Sequence, residues 1–457
     1  MTDARYAKDN PRTIFGWCMY DWANSAYVTT VAVGLLPRYF ADVVVPPGGA
    51  TFFGVNFPAD SLWAITVGTS TLIAFLTSPV LGAIADFSGA KKRFLLAFAY
   101  TGALFAMLLD FCRAGDIVRT LFFFLVAQVG FIGANVFYDA FLPNIASDEK
   151  MDWVSGKGYS YGYVGGGLQF ALALLLVLGH DTLGLSLEQA ARFGIVMAGA
   201  WWAGFTLFTA RDLVEPPAKE VAPGSDAGAG ERPGGGRPGG GLRGFLTIAG
   251  VGVRRTWATT KKVRQFRQLL LFLIAFMLYD DAIQTVISMA TIYGTVELRL
   301  SATTLMLTLL LIQAIATFGA LLFGRLAGWI GSKATIMVSL VMWSGVVIYA
   351  YFIQTAAQFL ALGGVVGLVL GGSQALSRSF YGSMIPEEAS AEFYGFYTVF
   401  SKFSAMWGPW VFAIVKQATG SSRLAILSIV VLFLAGLILL SLVNVEKARE
   451  GRRARAF

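Results

Sequence analysis

The chain of 457 residues is 56% hydrophobic and only 14% charged, with a mean hydropathy of +0.65. Soluble domains carry about 25% charged residues, so a water-soluble fold of this length is excluded for want of charge to solvate its surface. The formal charge of +8 does not mark a nucleic-acid binder, because Lys and Arg collect in short segments between apolar blocks, where membrane topology requires them.

Apolar blocks near 20 residues match the roughly 30 Å hydrocarbon core of a bilayer. In chain order the predicted helices of the first half cover 14–41, 60–86, 93–112, 118–143, 159–180 and 190–212. A Gly/Pro-rich stretch from Pro216 to Arg243 follows, too polar to bury a core and therefore read as a linker. Residues 245–266 are basic and partly apolar, which predicts an amphipathic helix lying on the membrane surface. Second-half helices are predicted at 267–294, 302–325, 334–353, 358–384, 391–418 and 423–445. The domain expectation is an N-terminal bundle over 1–213, a cytoplasmic linker over 214–266, and a C-terminal bundle with a basic tail over 267–457.

Lys and Arg set the expected orientation. The segment from Arg211 to Arg267 inclusive holds eleven and the C-terminal tail five, whereas Ala41 to Trp63 holds none. Both termini and every even-numbered connection are thus expected in the cytoplasm, which needs an even number of spans and supports twelve. Cys18 and Cys112 sit in apolar segments and His180 at the end of one, so no disulfide framework or metal site is expected. No cofactor motif and no enzyme signature (HExxH, phosphate loop, Ser/His pair) is present, and the enzyme class is set aside. The first thirteen residues are polar and no cleavable signal peptide is visible. Compact loops without a targeting extension favour a bacterial inner membrane.

The halves repeat. Tyr20-Asp21-Trp22-Ala23-Asn24 in helix 1 matches Tyr279-Asp280-Asp281-Ala282-Ile283-Gln284 in helix 7, both polar clusters in apolar helices. Helix 2 ends in Gly82-x3-Asp86-x2-Gly89-x-Lys91, and helix 8 in Gly324-x3-Gly328-x2-Gly331-x-Lys333. Helices 4 and 10 run from glycine through polar positions to Pro143 and Pro386. Two parallel repeats of six helices form a transporter architecture, with the solute site between the halves near the midplane.

The Gly82-x3-Asp86-x2-Gly89-x-Lys91-Lys92 run resembles the major facilitator signature between helices 2 and 3. The runs YDWANSAY, YDDAIQT and EFYGFYTVFSKF are similar to the vacuole-effluxer family, the autophagy-linked branch of that superfamily, which has many bacterial members. The resemblance covers nearly the whole chain outside the linker. It implies an all-α membrane protein with twelve helices in two pseudo-symmetric bundles, a cavity lined by helices 1, 4, 7 and 10, and export of amino acids or similar small polar solutes. It also makes helix 11 the partner of a carboxylate latch at Asp86. Since Gly328 stands where the first half has Asp86, the acidic latch is expected on one side only.

Ionisable groups within a span are costly and usually face the bundle interior. The predicted solute-binding residues are Tyr20, Asp21 and Asn24 in helix 1, and Asn135 and Tyr138 in helix 4, with Asp139 on the same stripe. Tyr279, Asp280 and Gln284 in helix 7 and Gln374 and Arg378 in helix 10 complete the set. Asp21 and Asp280 suit an ammonium or a carried proton, and Arg378 a carboxylate held in bidentate fashion, which together suit a zwitterion. The opposing reading makes these three charges interhelical pairs that only set packing. Asp281, about 100° round the helix from Asp280, is expected to pair with Lys402. Gly82, Asp86, Gly89, Lys91 and Lys92 are expected to gate. The glycines of helices 5 and 10 suit close helix packing, and Tyr159, Tyr161 and Tyr163 are read as interface aromatics in preference to a cation box. The function expected is secondary active transport of a small polar or zwitterionic solute by a monomer, with proton-coupled efflux. Protons, the solute and membrane lipids are the expected partners, and the alternative is a lysolipid-like translocator on the same fold.

Overall fold

The computed structural model describes residues 6–52, 54–215, 266–404 and 407–454. The predicted linker and the predicted amphipathic helix at 245–266 lie outside the described residues, apart from their edges. Among the described residues ten helices are long and apolar enough to cross a membrane. In chain order these are α2 (Ala59–Ser88), α3 (Lys91–Leu108), α4 (Ile117–Ala140, resumed at Leu142–Ile145), α5 (Met151–Leu178), α6 (Leu187–Asp212), α7 (Arg267–Val296), α8 (Ala302–Ile330), α9 (Ser332–Phe352), α10 (Ala356–Met384) and α12 (Ser422–Ser441). The two other expected spans are helical but interrupted. One is α1, residues 11–44, whose α-helix at Pro11–Ala26 passes into π-helical turns at Tyr27–Leu35 and again at Phe40–Val44. The other is α11, residues 390–419, in two pieces at Ser390–Ser404 and Trp407–Thr419. A short hairpin (β1, Ala50–Phe52; β2, Val55–Phe57) joins α1 to α2, and the tail forms a thirteenth helix, α13 (Val445–Ala454).

Local signals set the ends. Asn10 caps α1, its side chain accepting from the N–H of Arg12 at 3.0 Å, and Pro11 takes the first helical position. Ser186 with Gln189, and Thr355 with Gln358, form capping boxes that start α6 and α10. Gly89 ends α2 at φ 59°, a left-handed conformation that glycine adopts without strain. The largest boundary difference is α5, which begins at Met151, not at 159. Its first turns carry polar residues, and Asp152 and Ser155 bond to the opposite half instead of to water.

Within the first half α1 packs on α5 and α6, α3 on α4 and α6, and α2 on α4. Within the second half α8 packs on α10, α7 on α12, and α9 on α10 and α12. The halves meet along α2 with α11 and α5 with α8 and α10. The tightest of these contacts gather at the end carrying both chain termini, called here the termini face. A Cβ on Gly82 would strike the carbonyl of Ala391, and one on Gly395 would come within 2.8 Å of the Pro79 backbone. Glycine at both places therefore brings α2 and α11 to backbone contact.

Candidate functional site

Between the halves lies a chamber of about 300 Å³. Asp21, Asn24, Asn135, Tyr138, Tyr279, Asp280, Gln284, Gln374 and Arg378 all stand on its wall. The residue of the predicted set that does not is Tyr20. It is fully buried, its ring tilted against that of Tyr138 at 5.1 Å, and its hydroxyl has no hydrogen-bond partner among the described residues. Tyr20 shares a side of α1 with Asn24 one turn away, but the Tyr138 ring covers it while Asn24 stays at the wall. Asn24 donates to Asn135 at 2.6 Å, so these two amides form one surface from α1 and α4.

The floor of the chamber is built around Arg378. Its side chain is 2% exposed, and each guanidinium nitrogen is engaged. Nε donates to the Ser155 hydroxyl at 3.0 Å, one terminal nitrogen to the Ser155 carbonyl at 2.9 Å, and the other to Asp139 at 3.1 Å. Asp21 lies 3.6 Å from that last nitrogen. Three rings enclose the cation, with centroids at 4.1 Å for Tyr159, 4.8 Å for Trp17 and 5.2 Å for Tyr138. A guanidinium so occupied is not an open carboxylate clamp in this conformation, which differs from the bidentate role expected of it. The aromatic box exists after all, but around the chain's own arginine. Tyr138 and Trp17, which the sequence did not suggest for it, join Tyr159, while Tyr161 turns outward against Phe15 at 6.5 Å.

On the facing wall Ser401 donates to Asp280 at 2.8 Å, and Lys402 joins the lining. The carboxylate acting on the Lys402 ammonium is Asp280, not Asp281 as the sequence suggested. Asp281 points out of the chamber and is buried beside the backbone of Gly408, where the second piece of α11 begins. One residue's step of about 100° separates the two aspartates. Tyr163 of α5 donates to Gln374 of α10 at 2.7 Å and Gln313 of α8 to Thr29 of α1 at 3.2 Å, two further links between the halves along the wall.

At the termini face Asp86 accepts the backbone N–H of Glu392 at 2.9 Å, at the positive start of α11. Its other oxygen lies 3.1 Å from the Lys91 ammonium, which also donates to Ser390 at 2.8 Å and Asn144 at 2.9 Å. Lys92 instead donates to the Leu213 carbonyl at 2.6 Å, within its own half. The start of α3 is capped by Glu215, which accepts from the N–H groups of Lys91 at 2.6 Å and Lys92 at 3.1 Å. Burial pushes the Glu215 carboxyl above its ordinary range, against these two bonds. On the repeat-related side Gly328 offers no carboxylate, and an acid reaches the interface from another helix. Asp152 of α5 accepts from Ser332 at 2.6 Å and Ser379 at 2.5 Å, so a carboxylate links the halves there from the other helix. Glu387 adds a surface clasp, taking Lys8 and Arg452 of α13, both at 2.7 Å.

Sequence reading left Asp139 out of the solute-binding set although it lay on the right stripe. It missed Lys402, Ser401, Tyr397 and Thr398 because α11 was not expected at the wall. The amphipathic character of 390–404, with Tyr, Thr, Ser and Lys in an otherwise apolar run, is the signal that was available. Among the described residues no group of three His, Cys, Asp or Glu side chains gathers as a metal site.

The family model described as "Vacuole effluxer Atg22 like" matches residues 9–453. An uncharacterized MFS-type transporter, YxiO, of Bacillus subtilis is 32% identical over 436 residues, covering 95% of each chain. Autophagy-related protein 22-2 of Neosartorya fischeri is 26% identical, over 88% of this chain and 77% of its own. Among solved structures, the human organic anion transporter MFSD10 superposes with a TM-score of 0.69 at 15% identity, over 95% of this chain and 100% of its own. The major facilitator transporter FucP, in an outward conformation, superposes with a TM-score of 0.67 at 13% identity, over 95% and 99%.

Proposed function

The chain belongs to the vacuole-effluxer family of major facilitator transporters, multi-pass membrane proteins that are not enzymes, and from that premise we propose that it moves a small polar, amino-acid-like zwitterion by alternating access, as proton-coupled efflux. The observation that carries this reading is the chamber between the halves, walled by carboxylates and amides of α1, α4, α7 and α10. Its volume of about 300 Å³ lies at the small end of ligand pockets and accommodates a solute the size of an amino acid. Lys402 is the cation for the solute's carboxylate, since Arg378 is engaged. Asp21 and Asp280 carry the proton or face the ammonium.

With the termini in the cytoplasm of a bacterial cell, the contacts of Asp86, Asp152 and Glu387 close the inner face, and the chamber faces outward. Opening the inner face requires α11 to leave Asp86 and Arg378 to leave Ser155 and Asp139. These links are the energetic cost of the exchange, and Gly82, Gly89 and Lys91 shape the hinge around them.

Proteoliposomes under a pH gradient test the reading, with labelled amino acids and lysolipids as solutes. Amino-acid flux that collapses in Asp280→Asn and in Lys402→Met, with the fold intact by size-exclusion and circular dichroism, is the expected result. Flux of lysolipid alone, or unchanged amino-acid flux and pH dependence in both variants, overturns it.

A further inference from the structure

The surroundings of Arg378 divide unequally between the halves. Trp17 and Asp21 stand on α1, Tyr138 and Asp139 on α4, and Ser155 and Tyr159 on α5, all in the first half; the guanidinium alone comes from the second. We propose that this six-residue socket is a binding site for the cationic group of the cargo, a guanidinium before an ammonium, and that Arg378 fills it here as a tethered stand-in. The proposal rests on the alternating-access reading above and adds a charge class to the solute.

Three of the six socket residues, Trp17, Tyr138 and Asp21, are held together without Arg378. Trp17 Nε1 donates to the Tyr138 carbonyl at 2.8 Å, the Tyr138 hydroxyl donates to Asp21 at 2.9 Å, and the Trp17 and Tyr138 rings stack at 4.5 Å. Gly158 makes room for that stack, since a Cβ there would come within 2.7 Å of Trp17 and 2.8 Å of the Tyr138 hydroxyl. When the halves rock apart as rigid units, Arg378 withdraws with α10 and the socket stays assembled with α1, α4 and α5. Two carboxylates then remain in the membrane interior without their counter-ion, a costly state that draws in positive charge.

A proton would neutralise a carboxylate but leave three ring faces and the Ser155 carbonyl unused. An organic cation meets all of them at once. The acceptors are arranged for a planar fork, with the Ser155 carbonyl on one side, Asp139 on the other and the Tyr159 ring stacked on the face, which favours guanidinium over the compact, strongly hydrated ammonium. Access is open, because Asp21, Tyr138, Asp139 and Tyr159 line the chamber. Cargo entering the socket releases Arg378 and with it a tie between the halves, so binding and floor opening are one event.

The test uses the full-length protein in nanodiscs and guanidinium chloride as the probe, against sodium chloride at equal ionic strength. In Arg378→Ala, millimolar guanidinium is expected to raise the melting temperature by several degrees, methylammonium by less, and sodium not at all. The wild type, its socket filled, is expected to stay unmoved. Adding Asp139→Asn to Arg378→Ala is expected to weaken the guanidinium response at least tenfold. Should Arg378→Ala not fold, Arg378→Gln is measured the same way. A response to guanidinium no larger than to sodium, or one matched by acidification alone, overturns the proposal. Because the readout is melting, it stands apart from whether a zwitterion is transported.

Discussion

The two walls of the chamber descend from the same repeat yet carry opposite charge. The first-half wall presents Asp21 and Asp139, whereas the second-half wall presents Arg378 and Lys402 against a single Asp280. The shared Tyr-Asp-x-Ala motif diverges even within itself. Asp21 and Asp280 both reach the chamber, but Tyr279 is on the wall and donates to or accepts from Ser377 at 2.7 Å, while Tyr20 is sealed behind Tyr138. Equal motifs therefore do not make equal sites. The sign split lets the closed floor satisfy its own charges across the interface, which a symmetric pair of acidic walls would not allow.

Breaking that complementarity at its centre has the largest expected effect. Arg378→Ala leaves the Asp21 and Asp139 carboxylates buried without their cation, and removing one partner of a buried pair costs about 3–5 kcal/mol. Thermal melting in detergent should show a large drop, partly recovered by adding Asp139→Asn, because the two residues are coupled. Melting losses that simply add across the pair would dissolve the contrast between the walls.

The tyrosines sharpen the comparison at a smaller scale. Tyr279→Phe removes a hydroxyl from its Ser377 contact and should cost about 0.5–1.5 kcal/mol, with a measurable fall in solute affinity. Tyr20→Phe removes a buried hydroxyl that makes no hydrogen bond among the described residues and should leave melting and uptake unchanged or slightly improved. Equal losses in both variants would put Tyr20 at the wall.

Asp86→Asn moves the comparison to the termini face. It removes both the negative charge at the start of α11 and the buried partner of Lys91 3.1 Å away, and shifts the balance toward a state open at the termini face. Spin labels on Ser88 of the first half and Glu446 of the second should report a longer distance population in the variant. An unchanged distribution would assign the Asp86 contact to folding alone.

Much of the architecture was legible before any coordinates. Long apolar blocks, their Lys/Arg flanks and the repeated motifs located the helices, and the family resemblance together with the polar residues of α1, α4, α7 and α10 pointed to one chamber. Two kinds of feature were not. The interruptions of α1 and α11 and the early start of α5 depend on what each backbone meets, as the 151–158 segment does when Asp152 and Ser155 find partners across the interface. The aromatic socket unites residues 17, 138, 159 and 378, whose neighbourhood no local pattern encodes.

By itself the sequence determined the solvent this chain lives in, because burying an unpaired backbone or a charge in hydrocarbon is so costly that only apolar helices with rare polar residues can span it. Which of those rare residues share a surface was decided only in three dimensions. A helix turns about 100° per residue, so the rotation of each helix against its neighbours placed Asp280 in the chamber and Asp281 outside it, and set Arg378 among the rings of the opposite half.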